Sequence, residues 1–121
     1  MSRASLPVFG LLALALFSFA CGESDEEKAQ RAKRLVDNGA VLLDVRSTDE
    51  YNTAHVRGAL HIPVRELPQR LEEIPQGSRV VVYCESGVRS AQAMAVLQQR
   101  GHEVLDLGGL DDWPDRVDIV Q

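Results

Sequence analysis

Three short apolar runs stand out along an otherwise mixed chain. Val41-Leu42-Leu43-Asp44-Val45, Val80-Val81-Val82-Tyr83 and Val104-Leu105-Asp106-Leu107 are rich in branched residues and lack helical spacing, the pattern of strands buried on both faces of a parallel sheet. Elsewhere the apolar spacing changes to three and four. Ser24-Asp25-Glu26-Glu27 sets a hydroxyl and a carboxylate three residues apart, the reciprocal arrangement that satisfies free amides at a helix start. The helix it opens carries Ala29, Ala32, Leu35 and Val36 on one face and Lys33 and Arg34 near its C-terminal end, where cations suit the dipole. It stops at Asn38-Gly39. A second helix is expected from Val64 to about Ile74, with Leu67, Leu71 and Ile74 in step, and a third from about Arg89 to Gln99, closed by Gly101. Strands alternating with helices predict right-handed crossovers and an α/β fold, a parallel sheet of about four to five strands flanked by helices on both faces. In such sheets the active loops gather at the strand C-terminal ends. The segment from Asp111 to Gln121 yields no readable period.

The first twenty residues follow a different rule. Arg3 gives a sparse positive start, Val8 to Ala20 is almost uninterruptedly apolar, and Cys21 follows. This is the pattern of a signal peptide spanning residues 1–20. The stretch from Leu6 to Ala20 is shorter than the about 20 residues a membrane-spanning helix needs. Ala20-Cys21-Gly22 resembles a bacterial lipoprotein cleavage box, with Ser18 and Phe19 departing from the usual pattern. Expected from this are lipidation of Cys21, a short linker at 21–23, and a domain at 24–121 held on the periplasmic side of a bacterial membrane. Without acylation the chain would be soluble in the periplasm.

Composition narrows the function. The 121 residues, 45% hydrophobic and 5% aromatic, suffice for one compact domain beyond the leader, and a monomer is expected. Past residue 20 the chain holds 12 basic against 18 acidic residues, a net charge of −6, which disfavours nucleic-acid binding. The cysteines are two, Cys21 and Cys84. With the first acylated, an exported chain keeps a single thiol, which cannot serve as a disulfide staple and needs another explanation.

Cys84 lies at the end of an apolar run and opens the loop Glu85-Ser86-Gly87-Val88-Arg89-Ser90 before the third helix. Gly87 frees the loop to curl, so that successive amides and the positive end of the helix converge on the sulfur. A free thiol titrates near about 8.5, and lowering that by about 1.5 units requires roughly 2 kcal/mol of differential stabilisation, within reach of such a nest. Cysteine alone would be read as a buried strand-end residue. Gly87 together with Arg89, which can buttress the loop or meet an anion, turns the reading toward a reactive nucleophile.

Cys84-x-x-Gly87-x-Arg89-Ser90 resembles the active-site loop of the rhodanese family. Asp44-Val45-Arg46, Glu50-Tyr51, His55-Val56-Arg57-Gly58-Ala59 and Ile62-Pro63 resemble its N-terminal signature, and Gly108-Gly109-x-x-x-Trp113 its C-terminal one, the likeness covering about residues 24–121. The resemblance implies a sulfurtransferase that moves a sulfane sulfur from thiosulfate, a polysulfide or a persulfide to a thiol or cyanide through a Cys84 persulfide. It implies no cofactor and no metal. A protein persulfide donor is compatible with it. Asp44, Arg46 and His55 would be scaffolding that holds the loop in register. Phosphatases of related fold place Arg sixth after the cysteine; here Arg89 is fifth and Ser90 sixth, a tighter pocket matched to one sulfur atom. A rhodanese-fold module that binds or senses sulfur without turnover is the alternative, and a phosphatase or arsenate reductase a distant third. Two departures from the family pattern carry expectations: the edge strand that commonly precedes the first helix is missing, and Glu85 sets a negative charge beside the nucleophile, where thiosulfate would arrive as a dianion.

Overall fold

Residues 22–121 are described by the computed structural model, in which the capping pattern at Ser24 opens helix α1 (Asp25–Asp37) as the spacing predicts. Ser24 Oγ accepts from Glu27 N at 3.1 Å while Glu27 Oε2 accepts from Ser24 N at 3.0 Å. Asn38 caps the C-terminus and Gly39 turns the chain into β1 (Val41–Asp44). There follow a short helix α2 (Thr48–Thr53), β2 (His55–Val56), β3 (Leu60–His61), β4 (Val80–Cys84), helix α3 (Val88–Gln99), β5 (Val104–Gly109) and β6 (Ile119–Val120). The expected signal peptide over residues 1–20 and the expected lipidation of Cys21 lie outside the described residues.

Four strands form one parallel sheet in the order β3-β1-β4-β5, and β2 pairs antiparallel with β6 in a separate two-stranded ribbon. Every residue of β4 is buried, and its alternation divides the core. Val81 and Tyr83 face the layer of Ala29, Ala32, Leu42, Leu105, Leu107 and Trp113 on the α1 side. Val80, Val82 and Cys84 face Leu43, Ile62, Leu67, Leu71, Ala93 and Leu97 on the α3 side. Helices therefore cover both faces, as the continuous apolar strands require. No strand precedes α1 among the described residues.

The expected helix over Val64 to Ile74 is instead two single turns of 3-10 helix, Leu67–Gln69 and Leu71–Glu73. Pro68 lacks the N–H that an α-helix would use and its ring clashes with the preceding turn, and Arg70, at φ −125°, separates the two turns. Leu67, Leu71 and Ile74 are nonetheless all buried against the α3 side, so the apolar spacing reported burial correctly and helix type incorrectly. The C-terminal stretch without a period forms 3-10 turns at Leu110–Asp112 and Arg116–Asp118 before β6. No described helix is long and apolar enough to cross a membrane.

Candidate active site

Cys84 ends β4 at the C-terminal edge of the sheet and is fully buried, and Gly87 begins α3 in the left-handed region at φ +93°. A side chain there would be strained, and with none the Gly87 amide turns back to donate to Cys84 Sγ at 3.0 Å. Ser90, one turn into α3, brings its Oγ to 3.4 Å from the sulfur and donates to the Gly87 carbonyl at 3.1 Å. As a thiol, Cys84 donates to Ser90 Oγ; as a thiolate it receives the Ser90 hydroxyl, which turns away from Gly87. Burial pushes the Cys84 thiol up, but the Ser90 hydroxyl and the amides of Ser90, Gly87 and Ser86 outweigh it and hold the thiol below its ordinary value.

The floor of the loop comes from β5. A register shift between Val82 and Tyr83 brings Gly109 opposite Cys84. A Cβ on Gly109 would run into the Glu85 carbonyl oxygen, and one on Gly108, at φ +98°, would crowd the Asp112 carboxylate. The Gly108-Gly109 pair thus lets β5 approach the backbone of the sulfur loop. The Asp112 carboxylate accepts from Gly109 N at 2.8 Å and fixes the corner before Trp113.

Arg46 braces the loop from beneath. Its side chain is 2% exposed and donates to Asp44 Oδ2 at 2.7 Å, to the Ala54 carbonyl at 2.6 Å and to Glu85 Oε1 at 2.8 Å. It lies 5.5 Å from the Tyr83 ring centre as a cation over an aromatic face. Burial pulls the guanidinium down, and the Asp44 and Glu85 carboxylates more than offset it, so Arg46 is held firmly charged. Arg46 thus links Asp44 of β1 to Glu85 in the loop after β4. The Glu85 charge is engaged by Arg46.

Arg89 is held from the side by Glu50 of α2, with contacts of 2.6 and 2.9 Å that form a two-pronged pair. Arg89, aided by the backbone and hydroxyl of Ser47, holds the Glu50 carboxyl down at about 2 against the effect of burial. The pair joins α2 to the start of α3. Val88 is exposed on the outer side of the loop. His55 does not reach the loop: its Nδ1 lies 2.8 Å from the Tyr51 carbonyl and its ring stacks on Tyr51 at 3.7 Å. It orders the turn between α2 and β2, scaffolding at one remove.

The sequence reading did not single out Glu50 or Tyr83 as site residues. Glu50 stands 39 residues from its partner, and the sequence marked it only through the Glu50-Tyr51 pair of the N-terminal signature. Tyr83 turns to the opposite face from Cys84, where its hydroxyl accepts from Val56 N at 3.1 Å.

The family model for the rhodanese-like domain matches residues 28–115. The chain belongs to the rhodanese family. It is 44% identical over 85 residues to a sulfurtransferase of Allochromatium vinosum, covering 68% of this chain and 79% of that one. It is 38% identical over 73 residues to the thiosulfate sulfurtransferase PspE of Escherichia coli, covering 58% of this chain and 70% of PspE. Among solved structures, reduced CoADR-RHD of Bacillus anthracis superposes with a TM-score of 0.68 at 30% identity, over 77% of this rhodanese chain and only 17% of the larger protein. Sulfur transfer is thus supported at the level of the family, and the parallel sheet with flanking helices is its fold.

Proposed function

We propose that this rhodanese domain is a sulfurtransferase that carries sulfur as a persulfide on Cys84. The observation that supports it most is a fully buried thiol held below its ordinary pKa by an amide at 3.0 Å and the Ser90 hydroxyl. Burial without such donors would favour the neutral, inert thiol. In the first half-reaction Cys84 thiolate attacks the outer sulfur of thiosulfate, a polysulfide or a persulfide. The Sγ–S bond forms, the donor S–S bond breaks, and its electron pair leaves with sulfite or a thiolate. The extra sulfur then bears the negative charge, which the loop amides stabilise. In the second half-reaction a thiol or cyanide attacks that sulfur and Cys84 leaves as thiolate. Two half-reactions on one covalent carrier predict ping-pong kinetics, with no cofactor required.

Mass spectrometry of the purified protein after exposure to each donor tests this. A gain of about 32 Da on Cys84, discharged by cyanide and repeated over many cycles, is expected. No gain from any donor would refute the enzyme reading. A sulfur-holding module without turnover is the second reading, favoured by the complete burial of Cys84. It predicts the same gain with discharge that does not cycle. A phosphate cradle finds no support in Arg89, whose guanidinium is taken by Glu50.

We also propose that the domain works as a monomer, and that it is exported to the periplasm and anchored through acylated Cys21; the export and the anchor rest on residues 1–21 of the sequence. Lipoproteins carry several acyl chains, enough for stable anchoring where one alone is marginal. A mature N-terminus at unmodified Cys21 in a soluble fraction would refute the anchor.

A further inference from the structure

Both cations that flank the Cys84 loop are already occupied by carboxylates of the chain itself. Arg46 is shared between Asp44 and Glu85, at 2.7 and 2.8 Å. Arg89 is taken in two-pronged fashion by Glu50. Glu50 is fixed independently of Arg89: its Oε1 also accepts from Ser47 N at 3.0 Å and from Ser47 Oγ at 2.9 Å, so the cap of α2 sets the carboxylate in place. The guanidinium and carboxylate are each about a third exposed, at the surface between two openings. One, of about 280 Å³, is lined by Arg89 together with Pro63, Val64 and Arg65; the other, of about 230 Å³, by Glu50 together with Thr53, Glu85 and Leu110. Asp44, Arg46, Glu50, Glu85 and Arg89 together carry a net charge of −1, before the thiolate is counted. Among the described residues lining these openings, Arg65 is the cation outside any ion pair, and it is exposed.

We propose that Glu50 masks Arg89 and thereby sets the charge of the sulfur donor, so that the site takes sulfane donors with one negative charge, such as alkyl hydropersulfides, in preference to the thiosulfate dianion. This rests on the reading of Cys84 as a persulfide carrier and deepens it. A donor must bring its outer sulfur against a thiolate. The second charge of a dianion then meets like charge while both guanidinia that flank the loop are already paired, which costs about tenfold in productive encounter under partial screening. The transfer is balanced for either donor. Thiosulfate gives the Cys84 persulfide anion and sulfite; an alkyl hydropersulfide anion gives the same persulfide anion and an alkyl thiolate. Glu50 acts through Arg89 and touches no reacting atom, so it is a positioning residue.

The test compares thiosulfate with methanethiosulfonate, which has nearly the same shape and one charge fewer and leaves as methanesulfinate. Sulfite and methanesulfinate differ as leaving groups, so the decisive quantity is the change in the ratio of kcat/KM values between variants. In Glu50→Gln the preference for methanethiosulfonate is expected to fall about tenfold, through a lower KM for thiosulfate, and the effect to fade at about 1 M salt. Glutamine can still accept from Ser47 N, so the cap of α2 survives. In the double variant Glu50→Gln/Arg89→Gln the gain is expected to vanish, because no guanidinium is unmasked. An unchanged ratio in a Glu50→Gln protein that still loads sulfur would overturn the proposal, as would a gain that persists in the double variant. If Glu50→Gln fails to fold, the wild-type protein decides. Added salt must raise the thiosulfate rate relative to methanethiosulfonate, and a ratio indifferent to salt overturns the masking. Failure of Cys84 to load from either donor in the wild type would instead remove the sulfur-carrier reading itself, and the masking with it.

Discussion

At Cys84 the Ser90 hydroxyl leads the donors that favour the thiolate. Burial alone raises the thiol, and the Ser90 side chain is the foremost group that lowers it. One hydrogen bond of this kind is worth about 0.5–1.5 kcal/mol. Ser90→Ala is therefore expected to move the thiol titration upward and to slow alkylation of Cys84 by a small haloacetamide about three- to tenfold at neutral pH. The rate at high pH should reach the wild-type plateau. A stopped-flow or quenched pH series measures it, and a profile that keeps its midpoint but loses its plateau would mean that Ser90 controls access and not charge. The sequence made Cys84, Gly87 and Ser90 legible because all three lie in one loop, where spacing stands in for geometry. It did not reveal why Gly109 is a glycine, since the Glu85 carbonyl that demands it is 24 positions away in the chain.

Between elements, the active loop is held by ion pairs whose partners come from separate segments. Arg46 joins the end of β1 to the β4 loop, and the Glu50–Arg89 pair joins α2 to the start of α3. Such pairs leave no periodic trace, which is why the apolar runs located β1, β4 and β5 while α2 went unread. The reverse error occurred at Val64 to Ile74. There the period identified the buried face, and Pro68 denied the backbone the helix. The Glu50–Arg89 pair also carries a pH signature. Glu50 titrates at about 2 in the folded protein against 4.5 ordinarily, so the unfolded chain takes up its proton first as pH falls. Its contribution to stability is complete above the ordinary carboxylate range and disappears between about pH 4.5 and pH 2. Urea unfolding should find Glu50→Gln less stable than wild type by about 1–2 kcal/mol at pH 7, given partial solvent screening, and the gap should close by pH 2. A gap that stays constant with pH would assign the loss to packing of α2 instead.

Across the whole molecule, the C-terminal eleven residues close the fold on the α1 side by polar contacts, and this explains why hydropathy could not read them. Asp118 is the joint. Its Oδ2 accepts from Lys33 Nζ of α1 at 2.8 Å and from Trp113 Nε1 at 3.0 Å, and its carbonyl accepts from Arg57 N at 2.7 Å. Just beyond it β6 pairs with β2, so one residue ties α1, the β2 turn and the indole to the end of the chain. The indole is buried, and without Asp118 its N–H would lose its partner. Asp118→Ala is expected to cost about 1–3 kcal/mol by urea unfolding, because it leaves one buried donor unsatisfied and frees a half-buried ammonium. In a domain of this size that lowers Tm by roughly 4–8 °C per kcal/mol. The loop around Cys84 lies at the opposite side of β4 from these contacts, in the layer shared with α3. Sulfur loading of Cys84 below the new Tm should therefore match wild type. If loading fails while the fold persists, the C-terminal closure also holds the active loop, through Asp112 and Gly109 on β5, and the two core layers are more tightly coupled than their separate contacts imply.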